Sequence, residues 1–200
     1  MKVGILALQG DFDAHRRRLE ELGAEAVLIK NPAQLDAIDA LIIPGGESST
    51  FLWHLEQRGF LEKLRDFVRS KPTFGTCAGA ILLAQEVSGP AQPSLGAFDI
   101  SIQRNAYGRQ VNSFIGHVQT EFEGGPLEAV FIRAPKISRV GSNVQVLARE
   151  GGDPVLVRQA NVMAATFHPE LSADARVHRE FLKMAAELAS TSGAKTSAVK

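Results

Sequence analysis

Short apolar runs alternate with amphipathic stretches along the first half of the chain. Residues 3–8, 26–29 and 40–43 have the length and apolar content of buried strands. Apolar positions at helical spacing separate the first two runs, with Asp11 at the predicted helix start and Gly23 just past its end. This alternation predicts a parallel sheet covered by helices on both faces.

The alternation of strands and helices continues past Cys77 and changes from about residue 100 onward. Helical stretches at 49–57 and 60–69 lead into a strand that ends before Cys77, and an apolar helix follows. From residue 100 to 166, glycines and short alternating Val/Ile runs predict shorter, partly antiparallel strands, and a last helix is predicted from about 174 to 189. We therefore predict a three-layer α/β fold with a mostly parallel open sheet, a flavodoxin-like core and some antiparallel strands in the second half.

Length and composition predict a single domain. A chain of 200 residues with 44% apolar content can bury a substantial core, and it carries no internal repeat or linker. The domain is predicted to span residues 1–189. The small, polar segment 190–200 lacks apolar anchors and is predicted to be a disordered tail.

The sole cysteine lies on a tight turn between an apolar strand and an apolar helix. Gly75 and Gly79 flank Cys77 two residues away on either side, which is the spacing of a nucleophile elbow. The helix start would favour the thiolate, and the N–H of Ala78 would stabilise an oxyanion. Taken alone, the motif fits an inert structural cysteine about as well.

A histidine and a carboxylate stand two residues apart at the end of the apolar run 162–167. In an extended segment, this spacing places the side chains of His168 and Glu170 on one face. Glu170 would then orient the imidazole while His168 takes the proton from Cys77, which completes a Cys/His/Glu triad. The combination with a cysteine on an elbow favours catalysis over a lone surface histidine.

A glycine turn after the strand at 40–43 is a third candidate element. The adjacent Gly45 and Gly46 allow close approach of the backbone and can supply a second oxyanion N–H. Amides at such a turn can also bind a substrate carboxylate or carbonyl. Glycine turns are common between strands and helices, so this motif gains weight only beside the other two.

Six segments of the chain stand out together as motifs. They are ALQG at 7–10, PGGES at 44–48, GTCAG at 75–79, RNAYGRQ at 104–110, FIRAP at 131–135 and FHPEL at 167–171. This set resembles the triad-type glutamine amidotransferases and, within them, the glutaminase subunits of pyridoxal 5'-phosphate synthase. The segments fall in the order of that family, and the resemblance spans the chain from Met1 to about Leu188.

The resemblance implies a glutaminase that hydrolyses L-glutamine to L-glutamate and ammonia without a cofactor or metal. Cys77, His168 and Glu170 would be its triad. Ammonia would pass to a separate (β/α)8-barrel synthase subunit whose docking activates the glutaminase, and we expect Gln9 to help order the glycine turn on docking. The residues implied to contact or line the glutamine site are Gly46, Glu47, Ser48, Arg104, Ile132 and Arg133.

Charge and residue counts narrow the function classes. The 22 basic and 22 acidic residues balance, which argues against a nucleic-acid partner. The histidines lack metal-ligand spacing, and those outside the triad, His15, His54, His117 and His178, are predicted to be exposed or half-buried. A single cysteine suits a reducing cytoplasm, and no secretory, membrane-spanning or lipidation signal is evident.

Two other functions stay open. One is an amidotransferase subunit for another acceptor, such as that of imidazole glycerol phosphate synthase, which the Gly46-Glu47-Ser48 and Cys77-Ala78-Gly79 segments disfavour. The other is a non-catalytic binding module that keeps the fold as an interaction surface. Labelling of Cys77 by a glutamine-mimicking electrophile would separate an enzyme from such a module.

Overall fold

A computed structural model describes residues 1–105 and 113–197, with side chains described as far as residue 191. A nine-stranded sheet forms its centre, and a separate three-stranded sheet packs beside it. The parallel half of the large sheet comes mainly from the first part of the chain. Its elements are β1 (Lys2–Leu6), α1 (Phe12–Glu21), β2 (Glu25–Ile29), β3 (Ala40–Ile43), α2 (Ser48–Gln57), α3 (Leu61–Ser70), β4 (Thr73–Thr76) and α4 (Ala78–Leu83).

The second part of the chain completes both sheets. Two short 3-10 helices also occur, Pro32–Ala37 before β3 and Pro169–Leu171 after the last strand, and neither was predicted. The remaining elements are β5 (Ala84–Ser88), β6 (Phe98–Gln103), β7 (Phe114–Thr120), β8 (Leu127–Phe131), β9 (Lys136–Val140), β10 (Gln145–Glu150), β11 (Asp153–Gln159), β12 (Val162–Ala165) and α5 (Arg176–Ser197).

Strand order confirms the predicted fold class. The large sheet runs β2-β1-β3-β4-β12-β11-β10-β7-β8. Its first five strands are parallel, and pairing from β12 to β8 is antiparallel. The small sheet, β5-β6-β9, separates from the large one, a division that the sequence pattern did not indicate.

Side chains of the central strands alternate between two buried apolar clusters, one on each face of the sheet, and this gives the fold its three layers. Leu41 and Ile43 of β3 belong to one buried apolar cluster, whereas Ala40 and Ile42 belong to another. Successive side chains of a strand point to opposite faces, so a strand that is apolar throughout needs a cover on both sides. Helices provide that cover and leave the strand ends free for the site.

Two details of the helices differ from prediction. Asp11 occupies the N-cap position of α1, but its side chain makes no capping hydrogen bond. The last helix was expected to end near residue 189 and instead continues to Ser197, through part of the predicted tail. The hydroxyl groups of Ser190 and Thr191 donate to the carbonyl of Glu187 within the helix, which gives these polar residues helical partners. Residues 198–200 lie outside the described part of the chain.

The strand order gathers three loops at one edge. β3, β4 and β12 are adjacent and parallel, with Ile43 aligned to Gly75 and Ala165 aligned to Thr76. The turns that follow these strands therefore lie side by side at their carboxyl ends, where open α/β sheets bind ligands. Among the described residues, no helix is long and apolar enough to cross a bilayer.

Candidate active site

Cys77 occupies a strained turn between β4 and α4. Its φ of 47° and ψ of −103° lie in a region that side chains rarely adopt, at a cost of about 1–3 kcal/mol. A Cβ at Gly79 would stand 2.0 Å from the carbonyl oxygen of Ile43, and one at Gly75 would stand 2.6 Å from Gly79. Glycine is therefore required on both sides of the cysteine, because Gly79 packs directly against β3 and Gly75 packs against the backbone of Gly79.

His168 and Glu170 form a buried pair next to this turn. Nδ1 of His168 and Oε1 of Glu170 are 2.7 Å apart, and the residues are only 7% and 5% exposed. The sequence argument placed them in an extended segment, but Glu170 lies in the 3-10 helix Pro169–Leu171. That tight turn, rather than strand alternation, brings the carboxylate back to the imidazole.

Charge pairing keeps both partners of this pair ionised. Burial lowers the pKa of His168, but its hydrogen bonds to Cys77 and Glu170 outweigh burial and raise that pKa to about 10. Burial raises the pKa of Glu170, while the rings of His15 and His168 lower it by more, so the net shift is downward. The site thus favours an imidazolium held between a sulfur and a carboxylate.

The glycine turn after β3 touches both catalytic candidates. A Cβ built on Gly45 would lie 2.4 Å from Cε1 of His168 and 3.3 Å from Cβ of Cys77. The backbone of Gly45 therefore forms a wall of the space in which the histidine and cysteine meet. All three strand ends that the sequence singled out converge here.

A pocket that is open to solvent lies beside Cys77. All six predicted glutamine-binding residues line it. Sequence reasoning missed three lining residues, of which Asn105 and Pro135 lie inside matched motifs and Ile81 lies one helical turn after Cys77. Residues 106–110 of the RNAYGRQ motif are outside the described part of the chain. The lining consists of Gly46, Glu47, Ser48, Cys77, Ile81, Arg104, Asn105, Ile132, Arg133 and Pro135.

Glu47 and Arg104 form a fixed pair of opposite charges in this pocket. The Glu47 carboxylate caps α2 by accepting the backbone N–H groups of Ser49 at 3.1 Å and Thr50 at 2.7 Å. Nη2 of Arg104 donates to Glu47 Oε1 at 3.1 Å and to Ser49 Oγ at 2.9 Å. Burial raises the pKa of Glu47, but the hydrogen bonds from Thr50 and Ser49 prevail and bring it to about 2.

Gln9 contacts the glycine turn directly. Its Nε2 donates to the carbonyl of Glu47 at 2.8 Å, and a Cβ on Gly46 would lie 2.8 Å from the same nitrogen. Gly46 has a φ of +141°, which a side chain would strain. The end of β1 therefore braces the turn that follows β3.

Two of the histidines predicted to lie at or near the surface are instead fully buried. His15 on α1 and His178 on α5 have no solvent exposure. The prediction was wrong because it rested on residue type, whereas these rings pair with each other inside the protein, with Nδ1 of His15 and Nε2 of His178 2.9 Å apart. Within the described residues, no group of three or more His, Cys, Asp or Glu side chains could hold a metal ion.

The strained nucleophile turn, the buried His–Glu pair and the open α/β sheet together define a triad-type amidotransferase. The family model of the SNO glutamine amidotransferase family matches residues 5–187, and the chain belongs to that family. It is 60% identical to the pyridoxal 5'-phosphate synthase subunit PdxT of Koribacter versatilis, over 92% of this chain and 95% of that protein. The PdxT subunit of Solibacter usitatus is 52% identical, over 90% and 97% of the two chains.

A solved structure agrees with this assignment. The crystal structure of a glutamine amidotransferase matches with a TM-score of 0.86 at 48% identity and covers 92% of this chain and 98% of its own.

Proposed function

We propose that this chain is the glutaminase subunit of a pyridoxal 5'-phosphate synthase and hydrolyses L-glutamine to L-glutamate and ammonia. The observation that carries the proposal is the 2.7 Å contact between His168 and Glu170 beside a strained Cys77 at the edge of a pocket. The relatives named PdxT, up to 60% identical over nearly their full length, support the same assignment.

In the first half-reaction, the Cys77 thiolate attacks the side-chain carbonyl carbon of glutamine and a C–S bond forms. The protonated His168 then gives its proton to the amide nitrogen, the C–N bond breaks, and ammonia leaves. In the second half-reaction, His168 takes a proton from water, and the water oxygen attacks the thioester carbonyl carbon. A C–O bond forms, the C–S bond breaks, and glutamate leaves while Cys77 returns to the thiolate beside a protonated His168. Glu170 keeps the imidazole in one orientation and stabilises its charged form throughout.

Charge on the tetrahedral intermediate needs backbone donors close to Cys77. The amide of Ala78 follows the nucleophile at the start of α4, and the amides of Gly45 and Gly46 belong to the neighbouring turn. We assign the oxyanion site to these three residues, because preorganised N–H groups stabilise developing charge in transition states.

The pocket suits the zwitterionic end of glutamine. The guanidinium of Arg104 matches a carboxylate, and the carboxylate of Glu47 matches an ammonium group. Gly46, Ser48, Ile132 and Arg133 complete the proposed binding site. Because Arg104 already pairs with Glu47, part of its hydrogen bonding is exchanged for substrate when glutamine binds.

A glutaminase subunit needs an acceptor for its ammonia. We propose that the partner is a barrel-shaped synthase subunit and that the complex works in the cytoplasm, whose reducing conditions suit a free catalytic cysteine. Gln9 bridges β1 and the Gly46 turn, so docking near the end of β1 can be transmitted to the oxyanion turn. Unchanged synthase-dependent activation in Gln9→Ala would remove Gln9 from this part of the proposal.

The decisive experiment measures glutamate release from glutamine by the purified chain, with and without the barrel synthase, using Cys77→Ala as the control. We expect release to rise strongly with the synthase and to vanish in the variant. A folded protein with no activity in either state would contradict the enzyme assignment. Activity that is indifferent to the synthase would instead indicate another acceptor.

A further inference from the structure

A row of buried polar side chains extends from Glu170 of the triad into the core. Nε2 of His15 lies 3.4 Å from Oε2 of Glu170 and 3.2 Å from Oγ1 of Thr76. Nδ1 of His15 is 2.9 Å from Nε2 of His178. The two histidines come from the first and last helices, and neither takes part in the reaction described above.

Buried atoms that lack a hydrogen-bond partner show which ring nitrogens of His15 and His178 carry a proton. Nδ1 of His178 is buried without a hydrogen-bond partner among the described residues. A buried N–H without a partner is rarer in proteins than an unpaired acceptor, so the proton of His178 belongs on Nε2. His178 then donates to Nδ1 of His15, which leaves the proton of His15 on Nε2.

That proton has two oxygens near it: Oγ1 of Thr76, which makes the hydrogen bond at 3.2 Å, and the outer oxygen of the triad carboxylate, 3.4 Å from the same nitrogen. Oε1 of Glu170 accepts from His168, whereas Oε2 is buried and makes no hydrogen bond of good geometry within the described residues. An unpaired buried carboxylate oxygen is costly, and the positive end of the His15 ring N–H, 3.4 Å away, reduces that cost by electrostatic attraction although its hydrogen bond goes to Thr76.

We propose that His15 is a positioning residue of this active site: its Nε2–H, which hydrogen-bonds to Oγ1 of Thr76, attracts Oε2 of Glu170 from 3.4 Å and thereby keeps Oε1 directed at His168. His178 acts one step further out by fixing the tautomer of His15. The role of the pair rests on the proposed glutaminase function, because it acts through the triad.

The charged surroundings are consistent with a neutral ring at His15. Burial lowers its pKa, Glu170 raises it, His168 lowers it and Asp11 raises it, with a net downward shift. The pKa of His178 is also lowered, first by burial and then by His15 and Arg18. A neutral His15 can donate one hydrogen bond without placing a second cation beside His168.

The first test compares three substitutions of His15 in the complex with the synthase. The amide nitrogen of Gln can occupy the place of Nε2, that of Asn reaches only the place of Nδ1, and Leu donates nothing. We expect His15→Gln to keep kcat within about threefold, and Asn and Leu to lower it by roughly 10- to 100-fold, less than the about 10⁴-fold loss caused by altering a triad carboxylate. The KM for glutamine should stay within about twofold, because His15 does not line the pocket.

Thermal unfolding of each variant separates positioning from folding. A folded His15→Leu with the parent kcat, or equal losses in Gln and Asn, would contradict the proposal. A second readout is the pH dependence of Cys77 alkylation by iodoacetamide, which requires no glutamine. Without the His15 contact, Glu170 should stabilise the charged form of His168 less well. The alkylation profile of His15→Leu should therefore move to higher pH, and an unchanged profile would contradict the positioning role.

A third measurement needs no substitution. The ¹⁵N shifts of the imidazole nitrogens in the labelled parent protein report which nitrogen of each ring carries the proton. We expect Nε2–H for both His15 and His178, and an Nδ1–H tautomer at His15 would overturn the proposal. Absence of glutamate release by the parent would defeat the proposed function alone, since the alkylation and NMR results would still decide the role of His15.

Discussion

The Cα of Gly45 faces the imidazole of His168 so closely that a Cβ at this position would lie 2.4 Å from Cε1. The same Cβ would lie 3.3 Å from Cβ of Cys77. Because β3, β4 and β12 are adjacent, the loops that follow them pack closely together in one small space. A residue without a side chain at Gly45 is what allows the nucleophile and its base to meet there.

Gly45→Ala should therefore abolish or nearly abolish glutamate release. The added methyl group displaces the His168 ring, and misplacement of a catalytic group by about 1 Å can cost on the order of 100-fold in rate. The measurement is kcat in the synthase complex, together with the rate of Cys77 alkylation. Parent-like values of both would contradict the packing described for this turn.

Gly59→Ala provides the matched control for that substitution. A Cβ at Gly59 would have no atom within 4 Å, although its φ of +67° disfavours alanine. We expect this variant to lose about 1 kcal/mol of stability and to keep full activity. Activity losses of equal size in the two variants would mean that general destabilisation, rather than contact with His168, explains the effect of Gly45→Ala.

Backbone strain at Cys77 predicts a conflict between stability and function. Cys77→Gly and Cys77→Ala both remove the sulfur, but only glycine relaxes a φ of 47°. We expect the glycine variant to be more stable than the alanine variant by about 1 kcal/mol in chemical denaturation, with both inactive. Ala160, with a φ of 50° away from the pocket, is the comparison. Ala160→Gly should gain stability and stay active, and equal stability of the two Cys77 variants would refute the strain.

Arg104→Ala should raise the KM for glutamine roughly 10- to 100-fold, the effect of losing a charge-assisted hydrogen bond, while kcat falls less. Arg104→Lys should lie between, because an ammonium keeps the charge but not the planar fork. Arg139 is the matched control. It pairs with Asp99 at 2.8 Å and does not line the pocket, so Arg139→Ala should leave KM unchanged. An unaltered KM in Arg104→Ala would remove this residue from the glutamine site.

The buried His178 predicts sensitivity to acid. Its pKa is lowered well below 6.5, so near pH 6.5 this histidine takes up a proton in the unfolded chain but stays neutral in the folded chain. Stability contributed by the neutral ring is therefore full above that pH and is lost as the pH falls, by up to about 1.4 kcal/mol per pH unit. Glutamine at this position keeps a hydrogen-bond donor but does not titrate. The free energy of unfolding of His178→Gln, measured from pH 7 to 5, should therefore fall less steeply than that of the parent.

His117 serves as the comparison for this experiment, because it is exposed on β7. His117→Gln should follow the parent curve across the same pH range. Since each variant is compared with the parent, contributions from His168 and from the carboxylates cancel. Parallel curves for His178→Gln and the parent would mean that the pKa of His178 is the same in the folded and unfolded chains, which would contradict this prediction.

The local motifs of the site could be predicted from sequence because their chemistry is encoded at short range. Glycines two residues from Cys77 are needed wherever a strand turns sharply into a helix against another strand, and the structure has that turn. The fold class followed from apolar periodicity in the same way. The contact of Glu170 with His168 was expected for the wrong local reason, since a 3-10 turn rather than an extended strand joins them.

By itself, the sequence determined the alternation of strands and helices in the first half, the elbow and the resemblance to an amidotransferase, because spacing and residue type act within a few residues. Only the tertiary structure decided how Gly45 meets His168 and how His15 and His178, separated by 163 positions, become a buried pair behind the triad. Polar residue types predict exposure on average, yet two helices that pack on one sheet can satisfy such groups internally. Contacts of that kind depend on the strand order and the helix packing of the whole chain, and no local pattern encodes them.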